Sequence, residues 1–161
     1  METKSIFNAG KMGMDYMDEA LKEAYFGIEN KHGGPFGSVI VKDGKIVGRG
    51  HNKVLLNHDP TCHGEMEAIR DACKNLGTHN LSGAILYTTA EPCPMCMGAI
   101  LWANIREVYY GCSIKDTDRI GFRDDEFYQT FADRTSVTKE CDKEKCLELF
   151  EAYMKKNAER Y

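Results

Sequence analysis

Apolar residues first recur at helical spacing across residues 12–29, where Met14, Met17, Leu21, Tyr25 and Ile28 form one stripe. Side chains three and four apart share a helix face, so the stripe predicts an amphipathic helix packed on a core. Gly33-Gly34-Pro35 breaks the period. Residues 36–41 then form an apolar run of strand length, Asp43-Gly44 is a two-residue hairpin signal, and residues 45–51 supply the returning strand. Residues 57–60 predict a turn, with Thr61 as N-cap of a helix reaching Leu76 and Gly77 ending it in a left-handed conformation.

Further on, residues 84–89 are a short apolar strand. Pro94, whose missing N–H costs nothing in a first helical turn, opens a helix to Ala103. Residues 107–110 predict another strand, 135–137 a last one, and 141–156 a final amphipathic helix. Strands alternating with helices predict an α/β sandwich. The 161 residues carry no repeat, low-complexity segment or composition break, so one domain over residues 1–161 is expected.

Composition narrows the function classes. The chain is 42% hydrophobic, enough for a buried core, and 25 acidic against 21 basic side chains leave a net charge of −4. A grip on long nucleic acid usually needs a basic stripe, so nucleic acid is not the expected partner. No apolar run approaches the ~18 residues of a membrane helix. Residues 1–10 lack the pattern of a signal peptide. The seven cysteines, at 62, 73, 93, 96, 112, 141 and 146, are an odd number and predict reduced thiols in a cytoplasmic protein, some of them available to a metal.

Two segments carry chemistry: His63-Gly64-Glu65 and Pro92-Cys93-Pro94-Met95-Cys96. Cysteines three apart at a helix start can turn both sulfurs to one side, where the helix N-terminus favours thiolate. With the His63 imidazole they make a three-ligand zinc set, leaving a fourth tetrahedral position for water, whose pKa zinc lowers towards ~7. Glu65, two residues after His63, points away from the ligand direction yet stays within reach of that water. A redox dithiol and a closed structural site, completed by Glu67, Cys62 or Cys73, are the alternatives. His-x-Glu followed by Pro-Cys-x-x-Cys is the signature of zinc deaminases.

On these residues, and on Gly33-Gly34-Pro35-Phe36-Gly37, Gly50-His51-Asn52, Asp59-Pro60-Thr61, the run from Glu91 to Ile100, Trp102 and Gly121-Phe122, the sequence resembles the cytidine-deaminase-like zinc deaminases, most like the small bacterial guanine deaminases. The resemblance implies a three-layer α/β/α sandwich with a central mixed sheet of about five strands. It implies one zinc on His63, Cys93 and Cys96, and hydrolysis of guanine to xanthine and ammonia, with Glu65 as proton shuttle. Substrate contacts would come from Asn52, Phe36, the Gly64 backbone N–H, Trp102 and Asp124, with Asp125 the alternative because Gly-Phe-Arg-Asp-Asp departs from the usual Gly-Phe-Asp-Asp. Tyr161 would close the pocket of a partner in a homodimer that swaps residues 141–161. Two features, His-Gly-Glu where the family usually writes His-Ala-Glu and the run 48–52, are shared with cytosine deaminases, so deamination of cytosine or another small aminated heterocycle or nucleoside is the alternative. A tRNA adenosine deaminase fits the acidic charge less well.

Overall fold

The computed structural model describes the backbone of residues 3–132 and 137–160, and side chains from residue 16 onward within those spans. Helix α1 (Thr3–Glu29) begins nine residues before the expected start and leads into a hairpin of β1 (Gly37–Lys42) and β2 (Lys45–His51). Asp43 and Gly44 both take positive φ, 51° and 74°, as a type I′ turn requires. A short helix α2 (Val54–Asn57) stands just ahead of the expected turn. Next come α3 (Gly64–Leu76), β3 (Ile85–Ala90), α4 (Pro94–Trp102) and β4 (Glu107–Cys112). Two helices that the sequence pattern did not announce follow, α5 (Ile114–Arg119) and α6 (Asp124–Ala132), and then α7 (Lys143–Met154). The strand expected at 135–137 does not appear within the described residues: Val137 is a turn, and 135 and 136 lie outside them, as does Tyr161.

Among the described residues the sheet has four strands, not five, in the order β2-β1-β3-β4. β1 runs antiparallel to both neighbours, while β3 and β4 are parallel. The sheet is therefore mixed, as expected. Alternation along β1 divides the core: Val39 and Val41 join Ala20, Tyr16, Met17 and Tyr87 on the α1 side. Ile40 faces the other way, with Leu86, Ala68, Ala72 and Ile100 from β3, α3 and α4. These are the three layers. Ile40, Leu86 and Ile100 are essentially fully buried, each stabilising the fold by about 2 kcal/mol.

The stripe on α1 faces the core only in part: Met17 packs there, but its later members do not. Leu21, Tyr25 and Ile28 are 39%, 59% and 41% exposed, whereas Ala20 and Ala24 are buried. The cause is a close approach: a Cβ added at Gly37 would lie 2.1 Å from the Ala20 carbonyl oxygen, so at Ala20 and Ala24 only small residues fit beneath the helix. Helix α3 presses on β2 in the same way. A Cβ at Gly50 would lie 2.4 Å from the Ala68 nitrogen and 2.6 Å from the Gly64 oxygen. That seat brings the first turn of α3 over the end of the sheet.

Thr61 is not the cap of α3. Its N–H and hydroxyl both donate to Asp59 Oδ1, at 2.8 and 2.7 Å, and close the preceding turn. His63 occupies the N-cap with extended φ and makes no capping bond, because its imidazole is turned towards Cys93 and Cys96. Helix α7 buries none of its residues. No described helix is long and apolar enough to cross a membrane.

Candidate active site

The loop after β2, the start of α3, the loop between β3 and α4, and the segment from Gly121 into α6 meet at one end of the sheet. Cys93 is the N-cap of α4, with Pro94 at the first helical position, and Cys93 Sγ accepts the Cys96 N–H at 3.5 Å. The His63 Nδ1 atom stands 3.5 Å from both Sγ atoms. Among the described residues, these three are the group whose donor atoms converge, all within 4.8 Å of one another. Zn–S bonds of about 2.3 Å and a Zn–N bond of about 2.0 Å in a tetrahedron separate sulfur from nitrogen by about 3.5 Å, so this donor set fits zinc. Glu67, Cys62 and Cys73 stay out of it. Glu67 pairs with Arg70 at 2.6 Å, Cys62 Sγ accepts from Asn57 Nδ2 at 3.6 Å, and Cys73 packs at the edge of the core.

Glu65 is buried beside this group. Its Oε1 accepts from Thr88 Oγ1 at 3.0 Å, and Thr88 in turn accepts from Ser38 Oγ at 2.9 Å. The other oxygen, Oε2, lies 3.4 Å from Cys96 Sγ. Burial pushes the Glu65 carboxyl above the ordinary carboxylate range. The Cys96 side chain beside it, with His63 behind, holds the Cys93 thiol well below its usual value. The Cys93 hydrogen bond pushes His63 up. One sulfur is thus already disposed to be thiolate.

A cavity of about 720 Å³ opens over Glu65 and His63. Phe36 and Phe122 meet edge to face across one wall, with centroids 4.8 Å apart, a favoured aromatic arrangement. Asn52 is buried there. Its Oδ1 accepts the Val54 N–H at 3.0 Å, which leaves the Nδ2 end for a ligand. On the opposite wall, Asp124 lines the cavity at the start of α6, its carboxyl raised first by burial and then by the neighbouring Cys93. Asp125 turns away to accept Gln129 Nε2 at 3.0 Å. Gly64 is buried at the first position of α3, where an added Cβ would sit 3.1 Å from the Phe36 oxygen.

The structure therefore brings His63, Glu65, Cys93, Asn52, Phe36 and Asp124 to the lining of one cavity, with Cys96 buried behind His63 and Cys93 and Gly64 buried between His63 and Glu65. It does not bring Trp102 there. That ring stands at the end of α4, 67% exposed. Six residues on from Cys96 is about 9 Å along the helix and about 240° round it, which is a different face. Several contributors were given no role from the sequence. Tyr128 donates to the Pro92 oxygen at 2.6 Å and ties α6 to the cysteine loop. Burial takes its hydroxyl up to about 12. Glu91 Oε2 accepts the Ile114 N–H at 2.9 Å, and Arg123 lies 4.8 Å over the Phe127 ring. The only sequence signal for Ser38 and Thr88 was a hydroxyl interrupting an apolar strand.

Residues 12–112 match the family model described as cytidine and deoxycytidylate deaminase zinc-binding region. The chain is 47% identical over 114 residues to a guanine deaminase of Bacillus subtilis, covering 71% of this chain and 73% of that protein. The X-ray structure of guanine deaminase from Bacillus subtilis superposes with a TM-score of 0.85 at 40% identity, over 92% of this chain and 98% of that one. A tRNA-specific adenosine deaminase of Buchnera aphidicola is 33% identical over 140 residues, 87% of this chain and 92% of that protein.

Proposed function

The chain belongs to the family of cytidine and deoxycytidylate deaminases, and we propose that it hydrolyses guanine to xanthine and ammonia. The observation that carries this reading is the buried Glu65 carboxylate, 3.4 Å from a metal-ligand sulfur at the floor of an aromatic cavity. The match to guanine deaminase across nearly the whole of both chains supports the choice of purine.

His63, Cys93 and Cys96 would hold zinc, which would supply a bound water of pKa ~7. The chain's own groups do the rest. Asn52 Nδ2 donates to an acceptor on the purine, and Asp124 accepts from its N–H groups. Phe36 and Phe122 flank the base, and the Gly64 backbone N–H faces it from the first turn of α3. Glu65 takes one proton of the attacking water and passes it to a ring nitrogen, then takes the second from the newly attached hydroxyl and gives it to the departing amine, so water and guanine leave as xanthine and ammonia. A carboxyl raised by burial suits both taking and giving a proton near neutral pH.

We extend the reading to a cytoplasmic homodimer. All seven cysteines are free. Leu147, Phe150 and Met154, at helical spacing on α7, are 46%, 63% and 65% exposed, and a partner that receives residues 141–161 would cover them and set Tyr161 over its pocket.

Ammonia release from guanine, guanosine, cytosine, adenine and a tRNA anticodon stem tests the assignment. Rapid turnover is expected with guanine. Turnover of cytosine alone moves the assignment to that pyrimidine, and turnover of the tRNA stem alone moves it to tRNA editing, which the tRNA-specific relatives favour and the net charge of −4 opposes.

A further inference from the structure

Beneath the cavity wall, and outside its lining, three side chains form a continuous chain from α1 to the loop before β1. Glu23 Oε2 is 2.9 Å from His51 Nδ1, and His51 Nε2 is 2.8 Å from His32 Nδ1. The imidazole planes are within 18° of each other and their centroids are 5.1 Å apart, so the contact runs end to end in the ring plane and not face to face. Phe26 lies edge-on to both rings, at 5.8 and 5.6 Å, and His51 is 5% exposed. The arrangement is not a metal site. His51 spends a different nitrogen on each neighbour, so the donor atoms lie along a line and do not converge.

Hydrogen-bond chemistry pairs donors with acceptors along the chain. Ionised, the Glu23 carboxylate can only accept, so His51 Nδ1 donates to it, and a neutral His51 offers its Nε2 lone pair to His32 Nδ1–H. The middle of this chain and its loop end each hold a piece of the cavity. His51 is followed directly by Asn52, whose N–H donates to the Phe36 oxygen at 2.9 Å. The His32 carbonyl accepts the N–H groups of both Leu55 and Leu56 at 3.0 Å, tying it to the start of α2. Gly33, the next residue, packs so closely on Asn52 that a Cβ there would lie 2.1 Å from Asn52 Oδ1.

We propose that Glu23, His51 and His32 are positioning residues for the purine: the chain from helix to loop sets the spacing between Gly33–Phe36 and Asn52, and with it the affinity of the pocket. None of the three lines the cavity, so they act through Asn52 and the glycine loop. The KM readout rests on the guanine reading, while the amide readout below does not.

The decisive comparison is His32→Ala with His32→Asn, because the Asn amide nitrogen sits at the same branch position as His Nδ1 and can still donate to His51. His32→Ala is expected to raise KM about tenfold with kcat within about twofold, the pattern of lost ground-state binding. It is also expected to speed hydrogen exchange at the Leu55 and Leu56 amides while zinc content is unchanged. His32→Asn should restore both readouts. Glu23→Ala, at the far end on α1, should repeat the KM shift. An unmoved KM in both alanine variants, or an asparagine variant that behaves like alanine, overturns the proposal. If the parent enzyme ignores guanine, the functional reading fails, and the exchange of Leu55 and Leu56 with its rescue by asparagine still decides the relay.

Discussion

Glu65 has two unequal oxygens, one held by Thr88 at 3.0 Å and one facing the sulfur of Cys96 at 3.4 Å. Replacing it by glutamine keeps the shape but removes proton transfer. Glu65→Gln is expected to lower kcat by about 10²- to 10⁴-fold with one zinc per chain retained, measured by turnover and elemental analysis; near-parental activity would remove Glu65 from the reaction. At this scale the sequence was legible where spacing alone places an atom. His63 and Glu65 at one helix start, and Cys93 and Cys96 at another, left little freedom once the two helices were recognised. Trp102 was not legible in this way, since a position late in α4 is set by rotation about the helix axis and not by distance along the chain. Ser38 and Thr88 were invisible for a different reason: a hydroxyl in a strand is informative only when the buried carboxylate it serves is known.

Helices α5 and α6 span six and nine residues, too few turns for an apolar period to stand out. The N-terminus of α5 instead carries a capping box. The Ser113 N–H donates to Asp116 Oδ2 at 2.8 Å, and the Ser113 hydroxyl accepts the Asp116 N–H at 3.3 Å. The Ser113 backbone and hydroxyl hold the Asp116 carboxyl below its ordinary value of 3.8. A group whose folded pKa is depressed adds stability above its unfolded value and loses it as pH falls through the folded one. Urea midpoints should therefore fall more steeply below pH ~4 in the parent than in Asp116→Asn, and parallel curves would show that the box contributes nothing. Helix α1 teaches the opposite lesson. Its period was strong and its existence legible, but the side that faces the sheet was not. Of the stripe of large residues read as buried, Met17 packs on the core, but Leu21, Tyr25 and Ile28 are turned out where the close approach at Gly37 admits only Ala20 and Ala24.

For the molecule as a whole, the layered α/β plan and the hairpin were legible from alternation and from Asp43-Gly44. The strand count among the described residues was not, because residues 135–137 offer one apolar side chain, Val137, and no alternation to support a strand. The outward apolar residues of α1 and α7 together call for a covering surface. Sedimentation at micromolar concentration is expected to give a dimer, and removal of residues 141–161 a monomer that retains zinc and loses most of kcat/KM; a full-length monomer with full activity would exclude the swap. The strand directions add a consequence of their own. β1 begins, and β2, β3 and β4 end, at the same edge of the sheet, so every reacting group gathers at one pole. The antipode is built from the Asp43-Gly44 bend and the connections entering β3 and β4, and among the described residues it holds none of the candidate site groups. Evolution or an engineer can lengthen, label or anchor the protein there, and the purine arriving at the other pole would meet an unaltered catalyst.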